Sequence, residues 1–391
     1  MERHPSTWNS GSANVSSVTD VASTSNTRLS IAFVRGEGRE RELFLLDDNG
    51  ETRQLTDNHR CERSPTWSPD GTTIAYVISS SCTPYRYGIG SSGIAMRGDA
   101  ALWLVDPDGH ERRLIGPDEY DDPDPGEGLG SFIRLVWGPE GEALYLENLG
   151  WVTSHQIWRV PRDGSTTKLW DGGMDLQAIP GMRSFGLWQR LYFRNGGSHE
   201  AYVVNPDGQY LLHYEAIHDF DPFYFAPNGR KVLFNTVDRL DDDDPWQEGL
   251  YLLDLDRGNF QRLLDADASR HARFETDTDP EALPFRWDPA SRRVLYVTDI
   301  DGDTEIHVLD TGTGDDHQLT QNGIADHSPV WSPDGRQIAF VSERDGNPEI
   351  YTVNIDGSEL TRRTHDPAPD VAPRWRPASE EQGHERSRTA Q

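Results

Sequence analysis

Trp331-Ser332-Pro333-Asp334-Gly335, followed by the apolar run Ile338-Ala339-Phe340-Val341, occurs a second time as Trp67-Ser68-Pro69-Asp70-Gly71 followed by Ile74-Ala75-Tyr76-Val77. Weaker copies begin at Trp137, Phe225, Trp287 and Trp375, and a seventh is read at Trp188, where the Pro and Gly are lost. Between these anchors lies a second signal, an aromatic or β-branched run that ends in an Asn-Gly or Asp-Gly turn. Examples are Leu43-Phe44-Leu45-Leu46 before Asn49-Gly50, and Leu102-Trp103-Leu104-Val105 before Asp108-Gly109. Seven anchors are matched by seven such hairpins.

Pro-Asp-Gly and Asn-Gly turns tolerate positive φ at their central residues and so close antiparallel hairpins. Each unit thus reads as four short strands: the Trp strand, the apolar run after it, the run before Asp-Gly, and a last strand such as Arg53-Gln54-Leu55-Thr56. A period of about 44 residues with four strands per unit predicts an all-β fold, a closed β-propeller of about seven four-stranded blades, with six or eight as the alternatives. The chain enters on Ile31-Ala32-Phe33-Val34, which has no Trp strand before it, and ends on Val371-Ala372-Pro373-Arg374-Trp375, which has no blade after it. Pairing of the two ends would close the ring and remove an exposed sheet edge. The expected division is a Ser/Thr/Asn-rich disordered leader over 1–28, the propeller over 29–377 and a disordered polar tail over 378–391.

These residues resemble the WD-like β-propeller repeat of the TolB family, whose units read much as Trp331 to Thr364 does here, including Asp345-Gly346-Asn347-Pro348-Glu349-Ile350-Tyr351. The resemblance runs from roughly Leu29 to Pro377 and implies the propeller fold. Periplasmic TolB has a separate domain ahead of its propeller, for which the residues before Leu29 are too few, so the resemblance implies the fold rather than a part in the Tol–Pal system.

With 37 basic against 66 acidic residues and a net charge of -29, the chain would be repelled by nucleic acid and by anionic membrane surfaces. No apolar run has the length of a membrane span, and Met1 to Arg28 has no apolar h-region behind a basic start. Nucleophile elbows, Walker loops, His-Glu-x-x-His helices and Cys-x-x-Cys pairs are all missing from the sequence. Peptidases with a similar propeller add a hydrolase domain, so enzymatic activity here would have to come from the propeller itself.

The long segments, Ser79 to Ala100, Gly116 to Ser131, Asp171 to Arg183, Asp238 to Gly249 and Asp265 to Glu281, all map to one face, whereas the opposite face has only tight turns. Elaboration confined to one face marks a binding side, because function is grafted on loops above a rigid scaffold. Glu62, Asp326-His327, Asp370 and His218-Asp219 stand on that face, just before the inner strands of their blades. They are the candidate channel-mouth site for a protein or carbohydrate partner of a monomer without cofactor. The competing reading makes each acid a cap for backbone N–H groups.

In the alternative function, a metal-dependent polysaccharide lyase of the oligogalacturonate type, His218, Asp219, Asp326 and His327 would supply ligands to Mn²⁺. That alternative rests on the similar propeller of oligogalacturonate lyases, which bind Mn²⁺ through His and Gln on one face. Asp299 to Glu305 reads as a repeat turn, with weak Ca²⁺ binding as its alternative. Cys61 and Cys82 flank the hairpin at Pro69-Asp70-Gly71 within a residue or two of opposite one another, which predicts a disulfide and with it a periplasmic or extracellular setting. The absence of a signal sequence points the other way, to the cytoplasm.

Overall fold

The structure, a computed structural model, describes residues 30–378 except 80–84, 87–93, 96–99, 117–131, 150–154, 172–173, 194–195, 217–222, 237–246, 266–283 and 300–302. The expected leader, and the tail beyond Ala378, lie outside these residues.

Seven four-stranded antiparallel sheets form the blades of a propeller. Blades two to seven begin on Cys61–Trp67, Phe132–Trp137, Met174–Ile179, Tyr224–Phe225, Arg286–Trp287 and Asp326–Trp331. Blade one is built from both ends of the chain. Ile31–Arg35, Glu42–Leu46 and Thr52–Gln54 receive Asp370–Trp375 as their neighbour, with Ile31 opposite Trp375 and Arg35 opposite Asp370. First strands of neighbouring blades touch, as Asp370–Trp375 does on both Asp326–Trp331 and Cys61–Trp67. Fourth strands such as Thr52–Gln54 and Asp316–Gln318 are exposed at every residue. First strands are therefore innermost and fourth strands form the outside.

The core lies in the seams between blades. Alternate residues of a strand face opposite sides of its sheet. Ala32 and Val34 accordingly pack with Trp67 and Tyr76 of blade two, while Ile31 and Phe33 pack with Val330 and Ile350 of blade seven. Burial on both faces explains why the second strands read as unbroken apolar runs.

The Trp anchors stitch the seams. The indole N–H of Trp67 donates to Arg374 O (3.2 Å), Trp137 to Thr66 O (3.0 Å), Trp287 to Tyr224 O (3.0 Å), Trp331 to Arg286 O (2.9 Å) and Trp375 to Val330 O (3.2 Å). In every case the acceptor is the residue just before the anchor of the preceding blade. Phe225 and Ile179 hold the anchor positions of blades five and four and have no side-chain N–H to give.

Blade four departs from the sequence reading. Trp188 lies in its second strand, Ser184–Phe193, and not in an inner strand. The inner strand is Met174–Ile179, inside the segment read as a long loop, and the turn that follows is Pro180–Met182 with Arg183 left-handed at φ 51. The anchor was obscured because Ile179 replaces Trp and Arg183 occupies the conformation that Gly71, Gly141, Gly229 and Gly335 occupy in other blades.

The connections divide by rim. First-to-second and third-to-fourth strand turns are short throughout, as between Trp67 and Ile74 or Val105 and Glu111. The long connections, Ser79 to Ala101, Ile115 to Phe132, Thr236 to Gly249 and Asp265 to Arg286, all leave from the other rim, where the inner strands begin. No helix among the described residues is long and apolar enough to cross a membrane.

Candidate functional site

Each inner strand on the N–C side of the ring has an acid within its first two residues, two residues ahead of a kink. Glu62-Arg63-Ser64-Pro65, Asp326-His327-Ser328-Pro329 and Asp370-Val371-Ala372-Pro373 have the third residue in the left-handed region, at φ 53, 53 and 54. Register with the second strand slips by one residue at each of these points. The proline that follows has no N–H to leave unpaired, so the inner strand takes a bulge where a ladder donor would otherwise be orphaned.

The bulges leave Glu62, Asp326 and Asp370 on the long-connection rim, as read from the sequence, but with 0% of each exposed. All three are saturated by local donors. Asp370 accepts a bidentate pair from Arg35, Nε at 2.7 Å and Nη2 at 2.8 Å. Asp326 accepts Arg344 Nη2 at 2.8 Å and Asn322 Nδ2 at 2.6 Å. Glu62 Oε2 accepts Leu43 N at 2.9 Å and the Thr56 hydroxyl at 2.6 Å, while its Oε1 accepts Asn58 Nδ2.

Burial pushes the Asp370 carboxyl above the ordinary range, and Arg35 opposes that shift. The bidentate fork is the charge-assisted geometry that favours the ionised form of the pair. Among the described residues Glu62 has no such partner. Burial pushes it up to about 8, the Thr56 and Asn58 bonds pull it down, and Glu42 and Glu111 add like-charge repulsion.

His327 is half-buried with Nδ1 3.1 Å from Ser328 Oγ. His218 and Asp219 lie outside the described residues. His59 is exposed beside Glu40 at 3.2 Å. Cys61 is buried and pairs in register with Ser79. Its expected partner Cys82 lies outside the described residues.

A second layer of acids escaped the sequence reading. Glu42, Glu305 and Glu349 open the third strands of blades one, six and seven and are buried there. Thr320 and Thr364 donate to Glu305 and Glu349, and the same hydroxyls accept from Ile306 N at 3.0 Å and Ile350 N at 2.9 Å. Thr56 accepts Leu43 N in the same way at 2.8 Å. The signal was present in the sequence as Glu42-Leu43, Glu305-Ile306 and Glu349-Ile350, each followed at near-constant distance by Thr56, Thr320 or Thr364.

For metal, the described residues bring Asp106, Asp108 and His110 within 4.8 Å of one another, on the tight-turn rim. Asp106 Oδ1 there accepts Asp108 N at 2.9 Å and His110 N at 3.0 Å. Asn205 makes the same turn bonds to Asp207 N at 3.1 Å and Gln209 N at 2.8 Å without a histidine. The cluster is therefore turn chemistry shared among blades.

Residues 269–382 match the family described as TolB beta propeller domain. No curated protein matches the chain. Among solved structures, a puromycin-hydrolyzing peptidase of Mycobacterium tuberculosis is 13% identical with a TM-score of 0.56, over 88% of this chain and 55% of that one. The chain thus spans about half of that peptidase's length. An oligogalacturonate lyase in complex with manganese is 14% identical with a TM-score of 0.52, over 86% of this chain and 85% of the lyase. TolB from Acinetobacter baumannii is 14% identical with a TM-score of 0.48, over 89% of this chain and 67% of that one. At such identities the likeness is one of fold. By its repeat and its seven four-stranded blades the chain is a β-propeller, and its segment 269–382 is similar to the TolB beta propeller domain.

Proposed function

We propose that the chain is a binding propeller that docks a protein or glycan partner over the rim where the inner strands begin. One observation carries this reading: every connection longer than a tight turn leaves from that rim, while the opposite rim is uniformly short. A rigid ring that varies only on one rim presents a docking surface. The buried acids Glu62, Asp326 and Asp370 set the shape of this rim, and His327, with the sequence-read candidates His218 and Asp219, completes the proposed contact set. The proposal includes a monomeric chain, a periplasmic or extracellular setting that follows from pairing of Cys61 with Cys82, and no resident cofactor.

The second reading, a polysaccharide lyase using Mn²⁺ on His218, Asp219, Asp326 and His327, draws on the manganese-bound lyase that shares this fold along most of both chains. Against it stands Asp326, whose oxygens are occupied by Arg344 and Asn322.

The test replaces residues 80–99 by a short Gly-Ser turn, and in a second variant exchanges the tight turn at Asp108-Gly109 for Asn-Gly. Partner capture lost in the first and kept in the second supports rim docking; equal capture by both refutes it. Stoichiometric Mn²⁺ in purified protein, with unsaturated product from pectic oligomers, would replace the binding reading by the lyase.

A further inference from the structure

Two of the described crossings between blades are clamped by an asparagine, and one of these is followed by glycine. In the crossing from blade six to blade seven, Asn322 N donates to Glu305 Oε1 at 2.8 Å, its Nδ2 donates to Asp326 Oδ2 at 2.6 Å, and its Oδ1 accepts Ile324 N at 3.0 Å. In the crossing from blade one to blade two, Asn58 repeats all three bonds, to Glu42, to Glu62 and from Arg60 N. The next residue is left-handed in both, Gly323 at φ 73 and His59 at φ 52. The fold therefore accepts a side chain at this position, and a Cβ added to Gly323 would meet nothing within 4 Å.

Asparagine is a thermolabile residue, and it is most exposed to attack by the backbone amide that follows it when that amide belongs to glycine, which has no Cβ to obstruct the approach. Three Asn-Gly pairs lie within the described residues, at Asn49, Asn228 and Asn322, and their glycine N–H groups differ. Gly50 N donates to Asp47 O at 3.2 Å and Gly229 N to Ala226 O at 2.8 Å, which holds both in tight turns. Among the described residues Gly323 N makes no hydrogen bond, and both Asn322 and Gly323 are exposed to water. The Ile324 N–H stands where negative charge would grow on Asn322 Oδ1 during attack, so it stabilises the intermediate. The carbonyl is fixed and polarised while the nucleophile is untethered.

We propose that Asn322 is a site of spontaneous deamidation that alters the seam between blades six and seven. Gly323 N gives its proton to hydroxide and bonds to Cγ of Asn322; the Cγ–Nδ2 bond breaks, and Nδ2 takes a proton from water and leaves as ammonia. Water then opens the cyclic imide at one of its two carbonyls, leaving an aspartyl or an isoaspartyl residue at position 322. Either product replaces a donor to Asp326 by a carboxylate beside Asp326 and Glu305, where Arg344 is already bound to Asp326. The isoaspartyl form also adds a methylene to the main chain.

The experiment incubates the full chain at mildly alkaline pH and maps its peptides by mass, with isoaspartyl carboxyls labelled by enzymatic methylation. Conversion at Asn322 should run about fivefold ahead of that at Asn49 and Asn228, the factor set by the hydrogen bond that each of those glycines must first give up. In urea the three rates should converge. Gly323→His, which copies the sister crossing, and Asn322→Gln should both suppress conversion. Asn322→Asp should melt about 2–4 °C below the wild type, because a buried carboxylate is left one donor short. Conversion no faster than at Asn49 and Asn228, or the same order kept in urea, would overturn the proposal, since the fold would then not select the site. An Asn322→Asp chain that melts with the wild type would overturn the effect on the seam.

Discussion

Replacing Arg35 by Met tests how much the joint between the chain ends depends on one guanidinium. Arg35 in the first strand holds Asp370 in the last through two bonds of 2.7 and 2.8 Å, with Asp370 wholly buried and the guanidinium 4.6 Å from the Phe44 ring centroid. Met keeps most of the apolar stem and removes the charge, leaving a buried carboxylate uncompensated, which costs about 3–5 kcal/mol. With an unfolding entropy of about 2.1 cal/mol/K per residue over roughly 350 ordered residues, the melting temperature should fall by about 4–7 °C.

The loss should depend on pH. Without Arg35 the folded-state pKa of Asp370 rises further above its unfolded value, so the folded protein holds a proton that the unfolded chain releases. The variant should therefore recover stability as pH falls through that pKa and lose it as pH rises. Asp370→Asn in the Arg35→Met background removes the charge and should restore more than half of the loss. Calorimetry and urea denaturation of the four chains complete the cycle. A single-variant loss below about 1 kcal/mol, or a double variant no more stable than Arg35→Met, would show that the pair does not hold the joint.

Glu62 is pushed up to about 8 by burial, so in EDTA-containing buffer stability should decline between its unfolded pKa and pH 8 by at most about 1.4 kcal/mol per unit. Glu62→Gln should flatten that decline, and an unchanged slope would count against a titrating Glu62. Truncation after Pro369 removes the inner strand of blade one and the acceptor of the Trp67 indole. It should cause aggregation or early melting, and an unchanged melting curve would dismiss the shared blade as a stabilising element. Non-reducing peptide mass spectrometry should find Cys61 linked to Cys82; two alkylatable thiols in native material would remove the bond and the extracytoplasmic setting with it.

Much of the fold was legible because it is local and repeated. Trp67, Trp137, Trp287, Trp331 and Trp375 mark inner strands by a motif a few residues long, and the Gly turns behind them fix the hairpins. Blade four was misplaced because Trp188 was read as its anchor while the turn used Pro180 and Arg183 behind an Ile. The acids at the rim were legible as positions but not as environments. Nothing in the sequence around Asp370 announces Arg35, which is separated from it by 335 residues and becomes its neighbour only when the two termini pair. Glu42 and Glu349 were passed over because a Glu at the head of a strand reads as solvated until its Thr partner is seen.

The indole stitches run in one direction. Trp137, Trp287, Trp331 and Trp375 each donate to an inner strand earlier in the chain, so each acceptor has been synthesised before its indole appears. Trp67 is the exception: its acceptor, Arg374, is near the end of the chain. The second blade therefore stays unlatched until Arg374 has been made. The ring is assembled like a clasped bracelet, in which the first link to appear is the last to be fastened.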